Sequence, residues 1–180
     1  PDVPTVNGNN PICGSGAIQM TGVPGANATV CRWINGNDTT TNNSFNTGNI
    51  SQSTDYLVQS YNANTRCASD NITVSVVVNS LPSAPQTGND SQCLGTVVTL
   101  TATAAEHNIV RWYASAQDDN ILYEGSEFHP SHLVVGENNF YASAYDTLTQ
   151  CSSTERTMAT ATTIDAPAIP NAADTTHCGH

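Results

Sequence analysis

Short stretches in which apolar and polar residues alternate recur along the whole chain. Residues 72–78 read Ile-Thr-Val-Ser-Val-Val-Val and residues 139–145 read Asn-Phe-Tyr-Ala-Ser-Ala-Tyr. A period of two indicates β-strands with one buried face, and the β-branched run at 96–102 predicts another strand. Apolar residues do not recur at helical spacing over any stretch of helical length. Turn-forming residues at 35–38 and 135–138 separate the strands. The pattern therefore predicts an all-β protein.

The chain contains two copies of one repeat, which together span nearly all of it. Each copy has a cysteine, an Arg-Trp pair, a tyrosine and a second cysteine, in that order and at nearly equal spacing. The first copy has Cys13, Arg32-Trp33, Tyr61 and Cys67, and the second has Cys93, Arg111-Trp112, Tyr145 and Cys151. Short strands at regular spacing in units of this length are typical of β-sandwiches. We therefore expect two tandem β-sandwich domains.

Proline-rich segments mark the ends of the copies. Residues 81–85 join the first copy to the second, and residues 166–170 follow the second. We place the first domain at residues 1–81 and the second at residues 82–166. Proline fixes φ and removes a backbone donor, so these linkers are expected to be short and semi-rigid.

Residues 167–180 are expected to provide the first strand of a third copy. The separation between Cys93 and Cys178 is close to the separation between Cys13 and Cys93. This spacing puts Cys178 at the position of a first cysteine. We therefore expect the chain to be a piece of a longer array.

Four cysteines are predicted to form one disulfide within each copy. The expected pairs are Cys13 with Cys67 and Cys93 with Cys151, each closing a loop that would stabilise the fold by roughly 3 to 4 kcal/mol. Such bonds imply an oxidising compartment. Zinc is the competing interpretation, but no two cysteines are separated by two residues, as zinc sites usually require.

Trp33 and Trp112 stand in the middle of predicted strands and are expected at the centre of the two cores. Cys31 lies two residues before Trp33, on the same strand face, and is expected to be a buried thiol. A catalytic cysteine would need an activating base, and the first copy contains no histidine. Whether Cys31 and Cys178 are free or paired stays open.

Few residues suggest a ligand site. Asp118 and Asp119 are a weak candidate for calcium, although the D-x-D-x-D-G pattern of a calcium loop is missing. A solvated loop is the preferred interpretation of these two residues. We expect no cofactor, and calcium is the one metal for which the sequence offers a candidate. Tyr113 and Tyr123 could provide an aromatic platform for a sugar in the second copy.

Charge narrows the range of partners. The formal net charge is −11, there is no lysine, and the only strong cations are four arginines. Binding to nucleic acid or to an anionic membrane surface is therefore disfavoured. Insertion into a membrane as a helix is not expected, because no run approaches 18 apolar residues.

The second copy resembles the bacterial Ig-like repeats of secreted and cell-surface Bacteroidota proteins. The resemblance rests on the order and spacing of Val-Arg-Trp-Tyr-Ala at 110–114, Leu-Tyr-Glu-Gly-Ser at 122–126, Asn-Phe-Tyr-Ala at 139–142 and Cys-Ser-Ser at 151–153. The first copy diverges at Trp33-Ile34 and in its Thr/Asn run. The resemblance implies that each β-sandwich is Ig-like.

The resemblance also implies a function and a location. Such repeats form non-catalytic extracellular modules of surface adhesins, stalks and gliding-associated filaments, with neighbouring repeats as partners. They also occur beside secreted polysaccharide-degrading enzymes, so carbohydrate-binding accessory domains that contact surface glycans are the alternative. Residues 168–180 could add to a neighbour and assemble a filament. The related proteins carry O-glycans after aspartate, which makes Thr39, Thr147 and Thr175 candidates.

Overall fold

The structure of the chain is a computed structural model, and it describes residues 1–168. Residues 169–180, with Cys178 and Thr175, lie outside the described part. The chain divides into two compact units. Unit 1 contains Pro1–Pro82 together with Asp146–Ser152, and unit 2 contains Ser83–Tyr145 and the described residues from Ser153 onward.

Unit 1 is built from two sheets of antiparallel strands. One sheet has the order β1-β3-β6, the other has the order β5-β4-β7-β8, and β2 pairs in parallel with β9. The strands are β1 (Thr5–Asn7), β2 (Ile12–Cys13), β3 (Gln19–Val23), β4 (Val30–Asn35), β5 (Asp38–Thr41), β6 (Ser44–Asn46), β7 (Thr54–Tyr61), β8 (Ile72–Val76) and β9 (Val78–Asn79).

Unit 2 repeats this arrangement. One sheet has the order β10-β12-β15, and the other has the order β11-β17-β16-β13-β14, with β11 parallel to β17. The strands are β10 (Gln86–Gly88), β11 (Asp90–Cys93), β12 (Leu100–Thr103), β13 (Asn108–Tyr113), β14 (Tyr123–Glu124), β15 (Glu127–Phe128), β16 (Gly136–Asp146) and β17 (Thr157–Ile164).

The two units differ in one strand only. The single strand β17 of unit 2 corresponds to the pair β8 and β9 of unit 1, which the structure interrupts at Val77. Over the described residues the fold contains strands and no helix, so the prediction of an all-β fold is confirmed. None of these residues forms a helix with the length and apolar character needed to cross a membrane.

Each core is centred on the tryptophan of the Arg-Trp pair. Strand alternation directs Cys31 and Trp33 of β4 inward, and both are buried. Val110 and Trp112 occupy the same places on β13. Trp33 is 1% exposed and Trp112 is 0% exposed, so each indole lies fully within its unit.

A phenylalanine from the opposite sheet stacks on each tryptophan. Phe45 of β6 lies 5.0 Å from Trp33 between ring centroids, and Phe128 of β15 lies 5.3 Å from Trp112. Each indole Nε1 also donates a hydrogen bond to a loop carbonyl, which satisfies the one polar atom of the buried ring. The acceptors are the carbonyl oxygens of Asn42 (2.7 Å) and Gly125 (2.9 Å).

Tyr56 is the buried residue whose environment does not suit its polar atom. Its ring packs edge-on against Phe45, 5.2 Å away, and burial raises the pKa of its phenol. Its hydroxyl is buried and has no hydrogen-bond partner among residues 1–168. In unit 2 the equivalent residue is Phe140, which packs edge-on against Phe128 without a hydroxyl. The second copy therefore shows that this place accepts a phenylalanine.

Replacing Tyr56 with phenylalanine is expected to stabilise the protein. The Tyr56 hydroxyl loses its hydrogen bonds to water on folding and gains none in the protein. Tyr56→Phe removes this hydroxyl, so we expect a gain of about 1 kcal/mol in the free energy of unfolding. The control is Tyr113→Phe, because the Tyr113 hydroxyl accepts a bond from the buried Ser143 hydroxyl at 3.4 Å. Urea unfolding of both variants measures the effect, and a loss of stability in Tyr56→Phe would contradict it.

Candidate functional site

The disulfide in the structure joins Cys13 to Cys151, with the two Cα atoms 5.6 Å apart. Both predicted pairs are therefore wrong: Cys13 does not bond to Cys67, and Cys93 does not bond to Cys151. Cys67 and Cys93 are free and exposed. The bond closes a loop of 138 residues, and it links a cysteine of the first copy to a cysteine of the second copy.

The register of unit 2 explains why Cys93 cannot reach Cys151. Cys93 pairs with Ile164, the last residue of β17, whereas Cys151 lies before Thr157, the first residue of that strand. A strand of 8 residues spans about 26 Å at roughly 3.3 Å per residue. A disulfide requires Cα atoms within about 7 Å, so the strand is too long for the two cysteines to bond.

Unit 1 separates Cys13 from Cys67 in the same way. Cys13 pairs with Asn79 at the end of β9, and Cys67 lies before β8 begins at Ile72. Strands β8 and β9 therefore stand between the two sulfur atoms. Within each copy, the first cysteine is near the end of the last strand and the second cysteine is near its start.

The loop that carries Cys151 is rigidly shaped by hydrogen bonds. The Asp146 amide donates to the Cys151 carbonyl at 2.8 Å, and the Gln150 amide donates to the Asp146 carbonyl at 2.9 Å. Gln150 takes a φ of 60°, which turns the chain back towards β17. The residues Asp146–Ser152 belong to compact unit 1, so both cysteines of the disulfide lie in that unit.

Cys31 is a core residue and has no exposed thiol. It is buried, and burial raises the pKa of its thiol, so the thiolate that a nucleophile requires is disfavoured. Gly22 of β3 makes room for it, because a Cβ on Gly22 would lie 2.7 Å from the Cys31 Sγ. Cys31 is therefore packed as a small apolar side chain.

The two arginines beside the tryptophans each cover a tyrosine. The Arg32 guanidinium lies 3.6 Å above the ring of Tyr61, and the Arg111 guanidinium lies 3.4 Å above the ring of Tyr145. Arg111 also pairs across β13 and β14 with the carboxylate of Glu124 at 2.8 Å. These contacts fix the outer face of each sheet, and they account for the recurrence of the arginine and the tyrosine in both copies.

The candidate calcium residues lie beside a cation. The Arg156 guanidinium donates to the carbonyl oxygens of Ser115 and Asp118 and also covers the ring of Tyr113. The Asp118 carboxylate accepts the amide of Asn120 at 2.9 Å. A positive side chain therefore occupies two backbone carbonyl oxygens in the loop that carries these carboxylates. Among residues 1–168, no three His, Cys, Asp or Glu side chains group as metal ligands.

The two tyrosines proposed as a sugar platform differ in exposure. Tyr113 is 6% exposed and covered by Arg156, whereas Tyr123 is 46% exposed and stacks on Phe128. Tyr123 borders a groove of about 430 Å³ that Phe140 and Pro130 also line. The structure therefore leaves one of these two rings exposed.

Two of the three candidate O-glycosylation sites lie in the described residues. Thr39 is exposed on β5, opposite Ile34, and Thr147 is exposed in the loop after β16. Thr175 lies outside the described residues. The modification of all three stays a prediction.

Asp90 holds the strand that carries Cys93. Its carboxylate accepts the Thr99 amide at 2.8 Å, the Ser91 amide at 2.8 Å and the Gln92 side chain at 3.1 Å. These donors, the Thr99 amide above all, hold the pKa of Asp90 below its usual value. The charged carboxylate therefore fixes β11 in place.

Cutting the linker between the copies distinguishes the observed disulfide from the predicted pairs. A specific protease site inserted between Ser83 and Ala84 lies inside the Cys13–Cys151 loop. After cleavage, we expect one species on a denaturing gel without reductant and two fragments with reductant. In the Cys151→Ser control the fragments are expected to separate without reductant. Separation of the unsubstituted chain without reductant would mean that the bonds lie within the copies.

Two solved structures of low sequence identity resemble the chain. Fibronectin(III)-like modules of CbhA from Clostridium thermocellum superpose with a TM-score of 0.47 at 13% identity, over 96% of this chain and 100% of theirs. A Ca²⁺-stabilized adhesin that helps an Antarctic bacterium reach out and bind ice superposes with a TM-score of 0.47 at 16% identity, over 91% of this chain and 49% of its own length. A search of the curated proteins finds no match.

The family comparison agrees with the repeat that the strands show. Residues 1–79 and residues 82–164 each match the Ig-like domain described as CHU_C associated. The two matches cover all the strands of units 1 and 2. The chain therefore belongs to this family of Ig-like domains, which it carries twice in tandem.

Proposed function

We propose that this chain is a non-catalytic structural module of an extracellular, cell-surface protein, such as an adhesin, stalk or filament. Its role is to bear load and to space other parts of that protein. The tandem family membership supports this proposal, since one Ig-like architecture is repeated along the chain.

The disulfide Cys13–Cys151 is the observation that carries the proposal. A disulfide persists in oxidising surroundings, which favours a place outside the cytoplasm. Because this bond closes 138 residues, a pull on the two chain ends passes through the sulfur atoms and not through the strands between them. A covalent path that bypasses most of the sheet hydrogen bonds suits a protein under tension.

Single-molecule stretching tests this mechanical role. Pulling the chain from its two ends is expected to release little length until a reductant is added. Reduction should then release about 500 Å more, since the loop of 138 residues extends at roughly 3.6 Å per residue. The Cys151→Ser variant is expected to release this length without reductant. Equal extension of the unsubstituted chain with and without reductant would contradict the load-bearing role.

A carbohydrate-binding accessory module is the second candidate. The exposed ring of Tyr123 beside the 430 Å³ groove favours it, because sugars bind on exposed aromatic faces. The burial of Tyr113 beneath Arg156 removes it as the second exposed ring of a sugar platform. We therefore place this candidate second.

A glycan array separates the two candidates. We expect the chain to give no signal above background, since one exposed ring offers little contact area. A signal that is lost in Tyr123→Ala but kept in Leu148→Ala would establish the accessory function instead. Leu148 is the matched control because it is apolar and exposed and belongs to unit 1.

A further inference from the structure

We propose that Cys67 and Cys93 are two halves of a further disulfide, which links one copy of this repeat to another copy located after it. In this arrangement the first cysteine of any copy bonds to the second cysteine of the following copy. The Cys93 of one chain would bond to the Cys67 of a copy that follows it. This inference extends the proposed function, and it rests on the same Cys13–Cys151 bond.

The loop around Cys67 repeats the hydrogen bonds and backbone of the loop around Cys151. The Asn62 amide donates to the Cys67 carbonyl at 2.9 Å, as the Asp146 amide does to the Cys151 carbonyl at 2.8 Å. Each loop has one residue with left-handed backbone just before its cysteine, with φ of 61° at Arg66 and 60° at Gln150. In both loops the cysteine Sγ lies 3.7 Å from the carbonyl oxygen two residues earlier.

An equivalent serine anchors each loop to its sheet. The Ser69 hydroxyl accepts the Ser60 amide at 2.9 Å, and the Ser153 hydroxyl accepts the Ala144 amide at 3.1 Å. Cys67 therefore has the backbone setting that places the Cys151 sulfur for its bond. The difference is that Cys151 is bonded while Cys67 is an exposed free thiol.

Cys93 has the same setting as Cys13. Each is the last residue of a short strand that pairs in parallel with the end of the final strand of its unit, Cys13 with Asn79 and Cys93 with Ile164. Cys13 is bonded, and Cys93 is an exposed free thiol. The positions equivalent to Cys67 and Cys93 thus form a disulfide in the same structure.

Exposed apolar side chains surround Cys93 in the part of the chain that the structure describes. Val97 is 71% exposed and Val134 is 65% exposed, beside the exposed side chains of Leu94 and Ile164. The Leu94 amide donates to the Ile164 carbonyl, so Leu94 and Ile164 lie together at the end of β17. A groove of about 580 Å³, lined in part by Leu94 and Val97, adjoins them. Exposed apolar surface of this kind marks an interaction site.

The occupant that fits this surface is the 62–67 loop of another copy. In unit 1, the residues next to the bonded Cys13 include the equivalent loop, Asp146–Ser152, as part of the same compact unit.

The proposed bond between Cys93 and Cys67 forms by exchange with a small-molecule disulfide such as oxidised glutathione. Two thiols and one oxidised glutathione give one protein disulfide and two molecules of reduced glutathione.

Two tandem chains of matched composition test the inference. In both, residues 1–166 are followed directly by a second complete chain, so that Pro1 takes the place of Pro167 and the Pro-x-x-Pro spacing is kept. Both carry Cys178→Ser. Cys13, Cys31 and Cys151 are kept in both halves. In the forward chain, Cys67 of the first half and Cys93 of the second half are replaced by serine, so that Cys93 remains in the first half and Cys67 in the second. The reverse chain keeps Cys67 in its first half and Cys93 in its second.

The chains are folded in a glutathione redox buffer, alkylated, and cleaved after Asp and Glu. This digestion places Cys67 in a peptide of residues 56–70 and Cys93 in a peptide of residues 91–106. We expect these peptides to be joined in the monomeric forward chain, with alkylation of both cysteines almost completely lost. In the reverse chain both cysteines are expected to be alkylated.

Alkylated Cys67 and Cys93 in the forward chain, or equal bonding in the reverse chain, would overturn the inference. The Cys13–Cys151 bonds of the two halves are mapped in the same digest. If those bonds are present while the forward bond is missing, this inference fails and the proposed function stands. If they are missing as well, the disulfide that carries the proposed function fails with it.

Discussion

Each unit depends on the burial of one tryptophan indole between its two sheets. Removing roughly 200 Å² of aromatic surface from water is worth about 5 kcal/mol at about 25 cal/mol per Å², which is comparable to the whole net stability of a small domain. Trp33 and Trp112 obtain this burial between the two sheets, with Phe45 and Phe128 stacked upon them. The carbonyls that accept the indole Nε1 come from the segments that lead into those phenylalanine strands. Each tryptophan thus fixes the spacing of its two sheets.

The fold was predictable from the sequence because local pattern and repetition agree. The repeat indicated a tryptophan in mid-strand in each copy, and the two-residue spacing of Cys31 and Trp33 predicted that both lie on the inner face of one strand. The stacking of phenylalanine on tryptophan and of arginine on tyrosine was not predicted, although these residues recur in both copies of the sequence. Phe128 follows Trp112 at a greater distance along the chain than Phe45 follows Trp33, and these loops of different length obscured the match. The recurring Arg and Tyr were recognised as landmarks, but spacing alone cannot show that one stacks on the other.

The disulfide was not predictable, for a reason of symmetry. The spacing of the two cysteines within the first copy is nearly equal to that within the second, and the spacings between successive copies are nearly equal as well. Equal spacing in a tandem repeat is preserved whether bonds lie within copies or between successive copies. The direction of the last strand of each copy decides which cysteines can bond. The first cysteine pairs, strand to strand, with a residue at the end of this last strand, whereas the second cysteine lies just before its start. That requires strand register, which alternation gives only locally.

The position of the bond changes which part of an array bears tension. Bonds within each copy would leave the proline linker at residues 81–85 outside every loop, so the whole load would pass through its backbone. The Cys13–Cys151 bond encloses that linker in its loop. A bond from Cys93 to a later copy would begin inside the same loop, so successive loops would overlap along the chain. Each linker would then have two covalent paths across it, its own backbone and the one disulfide whose loop encloses it, and the cost is that each copy must be followed by a matching one.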